Sequence, residues 1–375
     1  MLKKFSVQNY RRFNEILEFN LTAGNYTFNS ECTHNGLIKL ALIYGKNGTG
    51  KSVLGWAISD LISHLTDNTN NLNNNNNYLN ALSTDKYSTF EYEFEFYDAR
   101  KHKKNVTYKY QKDENKKIIY EALMIQDILV VEYHFERPVS INLVGAENLN
   151  KTINPSQNLS AIKYIYNNTS LDRRNSNNAI FIKFIEFVNH MLYFRSVFGG
   201  NNFNGYKPGD DNIERDILRK NNLKDFENFL NGFGLNLQLV NVKQLNKNII
   251  GIKFEKKVLP FFEVVSTGTL SLTFFYYWWQ VLKENEVPFL FIDEFDCSYH
   301  FELSEYLIRK LKELTNTQVI LTTHNTNLLS NDLIRPDCGF IINGKTIKSL
   351  NNCTKKELRE AHNLEKLYQA GHFDE

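Results

Sequence analysis

The run Gly45-Lys46-Asn47-Gly48-Thr49-Gly50-Lys51-Ser52 constrains this chain more than any other stretch. Its spacing is G-x-x-x-x-G-K-[ST], that of a P-loop. The apolar run from Leu37 to Tyr44, broken only by Lys39, precedes it, and Val53-Leu54-Gly55-Trp56-Ala57-Ile58 follows. The order predicts a strand, a glycine-rich turn and a helix. A glycine turn with an accidental lysine would not come with those flanks. Gly45, Gly48 and Gly50 let backbone N–H groups converge where side chains would block a polyphosphate, and the helix adds the positive end of its dipole. Asn47, Gly48, Thr49 and Gly50 form the expected cradle. Lys51 is expected to reach the β/γ-phosphates and Ser52 to hold Mg²⁺.

Length and composition narrow the rest. A chain of 375 residues suits one large domain or two, at ~100–200 residues each. With 42% hydrophobic and 14% aromatic residues it can build a sizeable core. A net charge of +2 imposes no global basic field of the kind nucleic-acid binding favours. Cys32, Cys297, Cys338 and Cys353 have no C-x-x-C spacing, which fits reduced thiols in a cytoplasmic protein better than a disulfide framework or a metal site. The amino-terminal residues form no signal-like apolar core, and no run approaches the ~18–20 apolar residues of a membrane span.

Along the chain, residues 2–8 and a segment around Leu17 and Phe19 read as strands on either side of Asn9-Tyr10-Arg11-Arg12-Phe13. Residues 66–80 are asparagine-dominated and read as a solvated loop. Phe90, Tyr92, Phe94 and Phe96 alternate with Glu91, Glu93 and Glu95, the pattern of a half-buried strand. Val106 to Tyr110, Ile118 to Leu123 and Ile128 to Tyr133 extend this into an antiparallel layer. Ile180 to Phe194 reads as a helix with Phe181, Phe184, Ile185, Val188, Met191 and Leu192 on one face. Gly199 to Asp211 reads as a loop, Ile213 to Phe233 as one or two helices, and Lys355 to Ala370 as an amphipathic helix stopped by Gly371. The division expected is 1–140 for the amino-terminal part of the P-loop domain, 141–235 for a helical insertion without sustained heptads, and 236–375 for the carboxy-terminal part.

Three further motifs follow the P-loop. Phe289-Leu290-Phe291-Ile292 ends in Asp293-Glu294, the Walker B pattern. Asp293 is expected to hold Mg²⁺ with Ser52, and Glu294 to act as general base on the attacking water. Val319-Ile320-Leu321 ends in Thr322-Thr323-His324, which puts a histidine where it can contact the γ-phosphate and that water. Ser266-Thr267-Gly268-Thr269 precedes a helix that is apolar nearly all round. The tetrad suits an anion site at a helix N-terminus, and equally a simple Ser cap.

The order P-loop, S-x-G-T, D-E, T-T-H resembles the ABC-type ATPases, in the soluble branch that includes the SMC, RecF and OLD-like proteins. The opening Asn9-Tyr10-Arg11-Arg12-Phe13 is similar to that branch's N-[FY]-R-x-F. Within the branch the chain most resembles the AAA ATPase domain families 15 and 21 of bacterial anti-phage and abortive-infection systems. That likeness rests on Ser266 to Thr269, on Asp293-Glu294-Phe295-Asp296 with Ser298 and His300, on His324 to Leu329, and on the tail Glu357 to Gly371. It covers residues 1–60 and 255–375 well and the middle only loosely.

The resemblance implies an α/β ABC-type ATPase head, with a P-loop core sheet, an antiparallel β-layer and a helical insertion. It implies ATP and Mg²⁺ as cofactors, catalysis by Glu294 and His324, and head-to-tail homodimers or higher even-numbered oligomers. In such an assembly Ser266, Gly268 and Thr269 of one subunit meet the nucleotide held by Lys51 of another, with Asp296 at the interface. It further implies a separate effector partner, a nuclease being the expected one. The chain departs from the transporter signature L-S-G-G-Q, and no Q-loop glutamine can be placed. The tail holds no D-x-D for a fused Toprim nuclease. A RecF-like DNA-repair role is the alternative, with Arg100 to Lys104 as its only dense basic run. A transporter subunit or an inert scaffold fits the motifs less well.

Overall fold

The computed structural model describes residues 1–67, 77–152, 159–195, 203–205, 212–244, 247–283, 286–297 and 301–373. The uninterrupted apolar runs become the buried strands of one sheet. Leu40–Tyr44, Phe289–Asp293 and Gln318–Thr323 are buried along their whole length, as befits parallel strands covered on both faces. The strand order in this core sheet is Phe203–Gly205, Leu192–Arg195, Phe289–Asp293, Gln318–Thr323, Leu40–Tyr44, Gly339–Ile342 and Ile347–Ser349. The inner strands pair in parallel and the two edge strands antiparallel.

A second, antiparallel sheet runs Ser140–Ile141, Ile128–His134, Ile118–Ile125, Lys103–Lys112, Ser88–Tyr97, Leu2–Gln8 and Leu17–Asn20. Its inward aromatic face meets the helix Ser176–Asn189: Phe94 lies 5.5 Å from Phe184 and 5.4 Å from Phe187 between ring centres. On the outer face Lys109 pairs with Glu91 at 3.1 Å and Lys3 with Glu93 at 3.6 Å. Glu95, expected beside them, is buried and pairs with Lys103. Gln318 ties the two sheets together. Its amide donates to the carbonyls of Leu2 and Ile38, and its Oε1 accepts from the Leu2 N–H.

Lys39, the polar interruption before the P-loop, is buried as well. Its ammonium donates to the carbonyls of Lys312 and Leu314 at the end of the helix Phe301–Lys312. Terminal helix carbonyls lack partners and favour a cation. No helix among the described residues is long and apolar enough to cross a membrane.

The expected class, α/β with a P-loop core sheet and an antiparallel layer, is the one observed. Several local readings are corrected. The helix read through to Phe194 ends at Asn189, and Leu192–Arg195 is a core strand beside the Walker B strand. A four-residue apolar run fits helix and strand alike, and pairing with Phe289–Asp293 decides it. Phe203–Gly205, inside the loop expected over 199–211, is an edge strand; 199–202 and 206–211 lie outside the described residues. Of the asparagine-rich stretch, 68–76 lie outside them too. Tyr78 is buried against Tyr10 and Phe90, and Asn80 donates to the Arg11 carbonyl, so that end of the stretch is core. The tail helix is short, Leu364–Gln369, capped by the Asn363 side chain; Lys355 to His362 are not helical.

Candidate nucleotide-binding and catalytic site

The P-loop connects the strand Leu40–Tyr44 to the helix Lys51–Ser59. Gly50 sits at φ +105°, where only glycine is unstrained, and a Cβ there would stand 2.9 Å from the Phe13 ring. A Cβ on Gly45 would meet the Ile342 carbonyl at 2.6 Å. The loop is thus clamped between two neighbours at Gly45 and Gly50, where no side chain could replace the hydrogen. Lys46, Asn47 and Gly48 are exposed and Thr49 half-buried, so the cradle faces solvent. Lys51 is buried; its ammonium donates to the Gly45 carbonyl at 2.6 Å and lies 3.4 Å from His324 Nδ1.

Asn9-Tyr10-Arg11-Arg12-Phe13 backs this loop. The Asn9 amide donates to the carbonyls of Asp85 and Tyr87, and the Asn9 carbonyl accepts from Ser88. That knot holds Phe13 against Gly50. The Arg12 guanidinium packs beside Gly344, on the hairpin that flanks the P-loop.

Each residue of T-T-H has a partner in the site. The Thr322 hydroxyl donates to Asp293 Oδ1 at 2.7 Å and accepts from the Glu294 N–H at 2.7 Å. Thr323 donates to Asp296 Oδ2 at 2.7 Å. His324 faces Lys51. The parallel register, with Ile292 opposite Leu321 and Thr323 opposite Tyr44, brings all three motifs to the same end of adjacent strands. Loops at the carboxyl ends of parallel strands are where α/β sheets bind ligands. Glu294 itself turns out of the strand at φ +51°, a costly conformation for a glutamate.

Electrostatics follow from this crowding. Burial raises the Asp293 carboxyl above its usual range, while hydrogen bonds from Ser52 and Thr322 and the charge of Arg195 act to lower it. Burial likewise raises Asp296, against its bond from Thr323. Burial lowers the Lys51 ammonium, and the carboxylates of Asp293 and Glu294 pull it back up. Burial and then the charge of Lys51 lower His324, which favours a neutral imidazole beside the ammonium.

The Ser52 hydroxyl is close enough to the Asp293 carboxyl to help hold its pKa down, so a hydroxyl and a carboxylate face one place. Hard oxygen donors of this kind suit Mg²⁺. Together with the exposed glycine cradle and Lys51, they fit a nucleotide–metal pair. Ser266, Gly268 and Thr269 are not brought to this cluster. Ser266 is exposed and its side-chain hydrogen bonds stay within the tetrad, to the Thr269 hydroxyl and N–H at the start of the helix Thr267–Lys283. Ser298 and His300 lie outside the described residues.

One charged group in the site carries no motif. Arg195, at the end of the strand Leu192–Arg195, places Nη2 3.1 Å from Glu294 Oε2 and Nε 3.5 Å from Asp293 Oδ2. Burial disfavours its charge, but the two carboxylates raise its pKa. The only sequence signal was a cation closing the apolar run Leu192-Tyr193-Phe194.

A parallel sheet with a P-loop after one strand, D-E after a second and T-T-H after a third defines a P-loop ATPase-type protein. More particularly, the chain belongs to the AAA_21 family, described as "AAA domain, putative AbiEii toxin, Type IV TA system", whose model matches residues 40–330. ATP is the nucleotide this membership implies. Among solved structures the chain is similar to an SMC head bound to the C-winged helix domain of ScpA, at 14% identity and TM-score 0.48 over 94% of this chain and 98% of that one. It is also similar to an SMC head domain from Thermotoga maritima, at 14% and 0.42 over 93% and 98%. The recombination mediator RecF with ATP gives 15% and 0.39 over 93% and 99%. Among curated proteins none matches.

Proposed function

We propose that the chain binds ATP with Mg²⁺ at the P-loop and hydrolyses it only when a second copy closes the site. The observation that carries this reading is the convergence of Asp293, Glu294 and Asp296 on the two threonines of one strand, with Lys51 against His324 just past that strand's end. Lys51, with the backbone of Asn47, Gly48, Thr49 and Gly50, holds the phosphates. Ser52 and Asp293 hold the metal, which neutralises charge on the phosphates. Glu294 takes the proton of the attacking water, and His324 orients that water from the other side. Ser266, exposed at a helix start, with the half-buried Gly268 and the buried Thr269 beside it, makes no hydrogen bond to its own P-loop among the described residues, and the three serve the nucleotide of the partner copy.

In the cell this ATPase is the control arm of an anti-phage, abortive-infection or toxin–antitoxin-like complex, acting in the cytoplasm on a separate effector such as a nuclease. The family's description and the tail resemblance support that role. A RecF-like DNA function is the rival. Its basic run is largely offset within the fold, since Lys103 faces Glu95 and Lys104 lies 3.9 Å from Asp98. Addition of DNA is therefore expected to leave the ATPase rate flat; strong stimulation that fades with salt would favour the rival.

The experiment for the chemistry is Glu294→Gln. Loss of a general base lowers turnover by about 10²–10⁴-fold, with nucleotide binding retained. Turnover equal to wild type would remove Glu294 from the mechanism.

A further inference from the structure

We infer that Arg195 is a resident counter-cation of the metal site: its guanidinium stands against Asp293 and Glu294, and metal enters only as it leaves. This rests on the reading that Asp293 helps to hold Mg²⁺. The register sets the position, because Arg195 pairs with Asp293 across the parallel strands and register partners share a face. The guanidinium spans both acids at ion-pair distance, with Nη2 on Glu294 and Nε towards Asp293.

The fit is loose in a way that suits departure. Nε is buried and has no hydrogen-bond acceptor, and its contact with Asp293 Oδ2 is 3.5 Å. The Tyr193 hydroxyl reaches the same oxygen at the same long distance, 3.5 Å. The Arg195 side chain is 37% exposed, so part of it already meets solvent. A structural salt bridge would be expected to use its donors more completely, because buried unsatisfied N–H groups are costly.

Two carboxylates side by side would attract a divalent cation without any nucleotide. A third charge that competes for them makes metal binding conditional. The phosphates supply both further ligands for the metal and a new anionic partner for the displaced guanidinium. Arg195 thus ties metal occupancy to nucleotide occupancy, and keeps Glu294 engaged until both are present.

The test is Mn²⁺ binding to the nucleotide-free full chain, followed by electron paramagnetic resonance. Arg195→Gln, which keeps a donor but no charge, is expected to bind Mn²⁺ at least about tenfold tighter than wild type, the scale on which an opposite charge within ~4–6 Å alters a carboxylate's affinity for a proton. Arg195→Lys should stay close to wild type, and adding Asp293→Asn to Arg195→Gln should erase the gain. Equal Mn²⁺ affinity in Arg195→Gln and wild type overturns the inference. If the neutral variant unfolds, refolding on addition of millimolar Mn²⁺ supports it and failure to refold overturns it. Asp293→Asn alone separates the two readings. If it leaves metal-dependent nucleotide binding intact, the metal-site reading fails; if it weakens that binding while Arg195→Gln has no effect, only the counter-cation fails.

Discussion

Thr322 does more with one oxygen than its place in T-T-H suggests. It bridges the two Walker B residues, donating to the Asp293 carboxylate and accepting from the Glu294 N–H, and it is fully buried. Thr322→Val keeps the shape and removes both bonds. Leaving buried polar groups unpaired costs about 1–3 kcal/mol, so the variant should unfold at lower denaturant, and kcat should fall more than KM changes. Unaltered denaturation and kinetics would contradict the bridging role. Lys51, Ser52, Asp293 and Glu294 were legible in the sequence because the chemistry demands fixed spacing or a fixed place at a strand end. Arg195 was not, because its partner Glu294 lies 99 positions away and only strand pairing brings the two together. Arg12 was visible inside a motif, but its place beside Gly344 depends on a hairpin from the far end of the chain.

Among the elements, the helix Ser176–Asn189 packs the aromatic face of the antiparallel layer. Phe184 lies 5.5 Å from Phe94 and 5.3 Å from Tyr108 between ring centres, and it is fully buried. Phe184→Ala should cost about 3–5 kcal/mol, the usual range for a deleted core aromatic, measured by equilibrium unfolding; a loss well below that would mean the layer is held elsewhere. The layer's strands could be read in advance because aromatic and charged residues alternate over their length. Leu192–Arg195 could not, since four residues carry no decisive period. The tail misled in the opposite way. Its apolar spacing suggested one long helix, yet Leu358 is buried from a non-helical segment and Ala361 is exposed.

Across the whole molecule, a buried polar network joins the end of the P-loop helix to the layer. Asp60 accepts from Tyr110 at 2.8 Å and Lys112 at 2.6 Å, while His64 Nε2 lies 2.7 Å from the Tyr108 hydroxyl. Burial, then the Lys112 charge, hold His64 well below its usual 6.5, so the native fold keeps it neutral. The unfolded chain takes up that proton as pH falls through about 6.5. The contribution of His64 is therefore full above that pH and is lost progressively below it, towards the depressed native value. The stability difference between wild type and His64→Asn should shift in the variant's favour from pH 7 to pH 5; a difference independent of pH would contradict a neutral buried His64. At this scale the sequence could suggest the composite nucleotide site only through the resemblance, because Ser266 and the P-loop belong to different copies in that arrangement. The most direct measurement is the solution mass of Glu294→Gln, by light scattering or sedimentation, with and without saturating ATP and Mg²⁺. The mass should double with nucleotide, and adding Ser266→Arg should abolish the doubling. An unchanged mass in Glu294→Gln, or a doubling that survives Ser266→Arg, would contradict a site closed by a second copy.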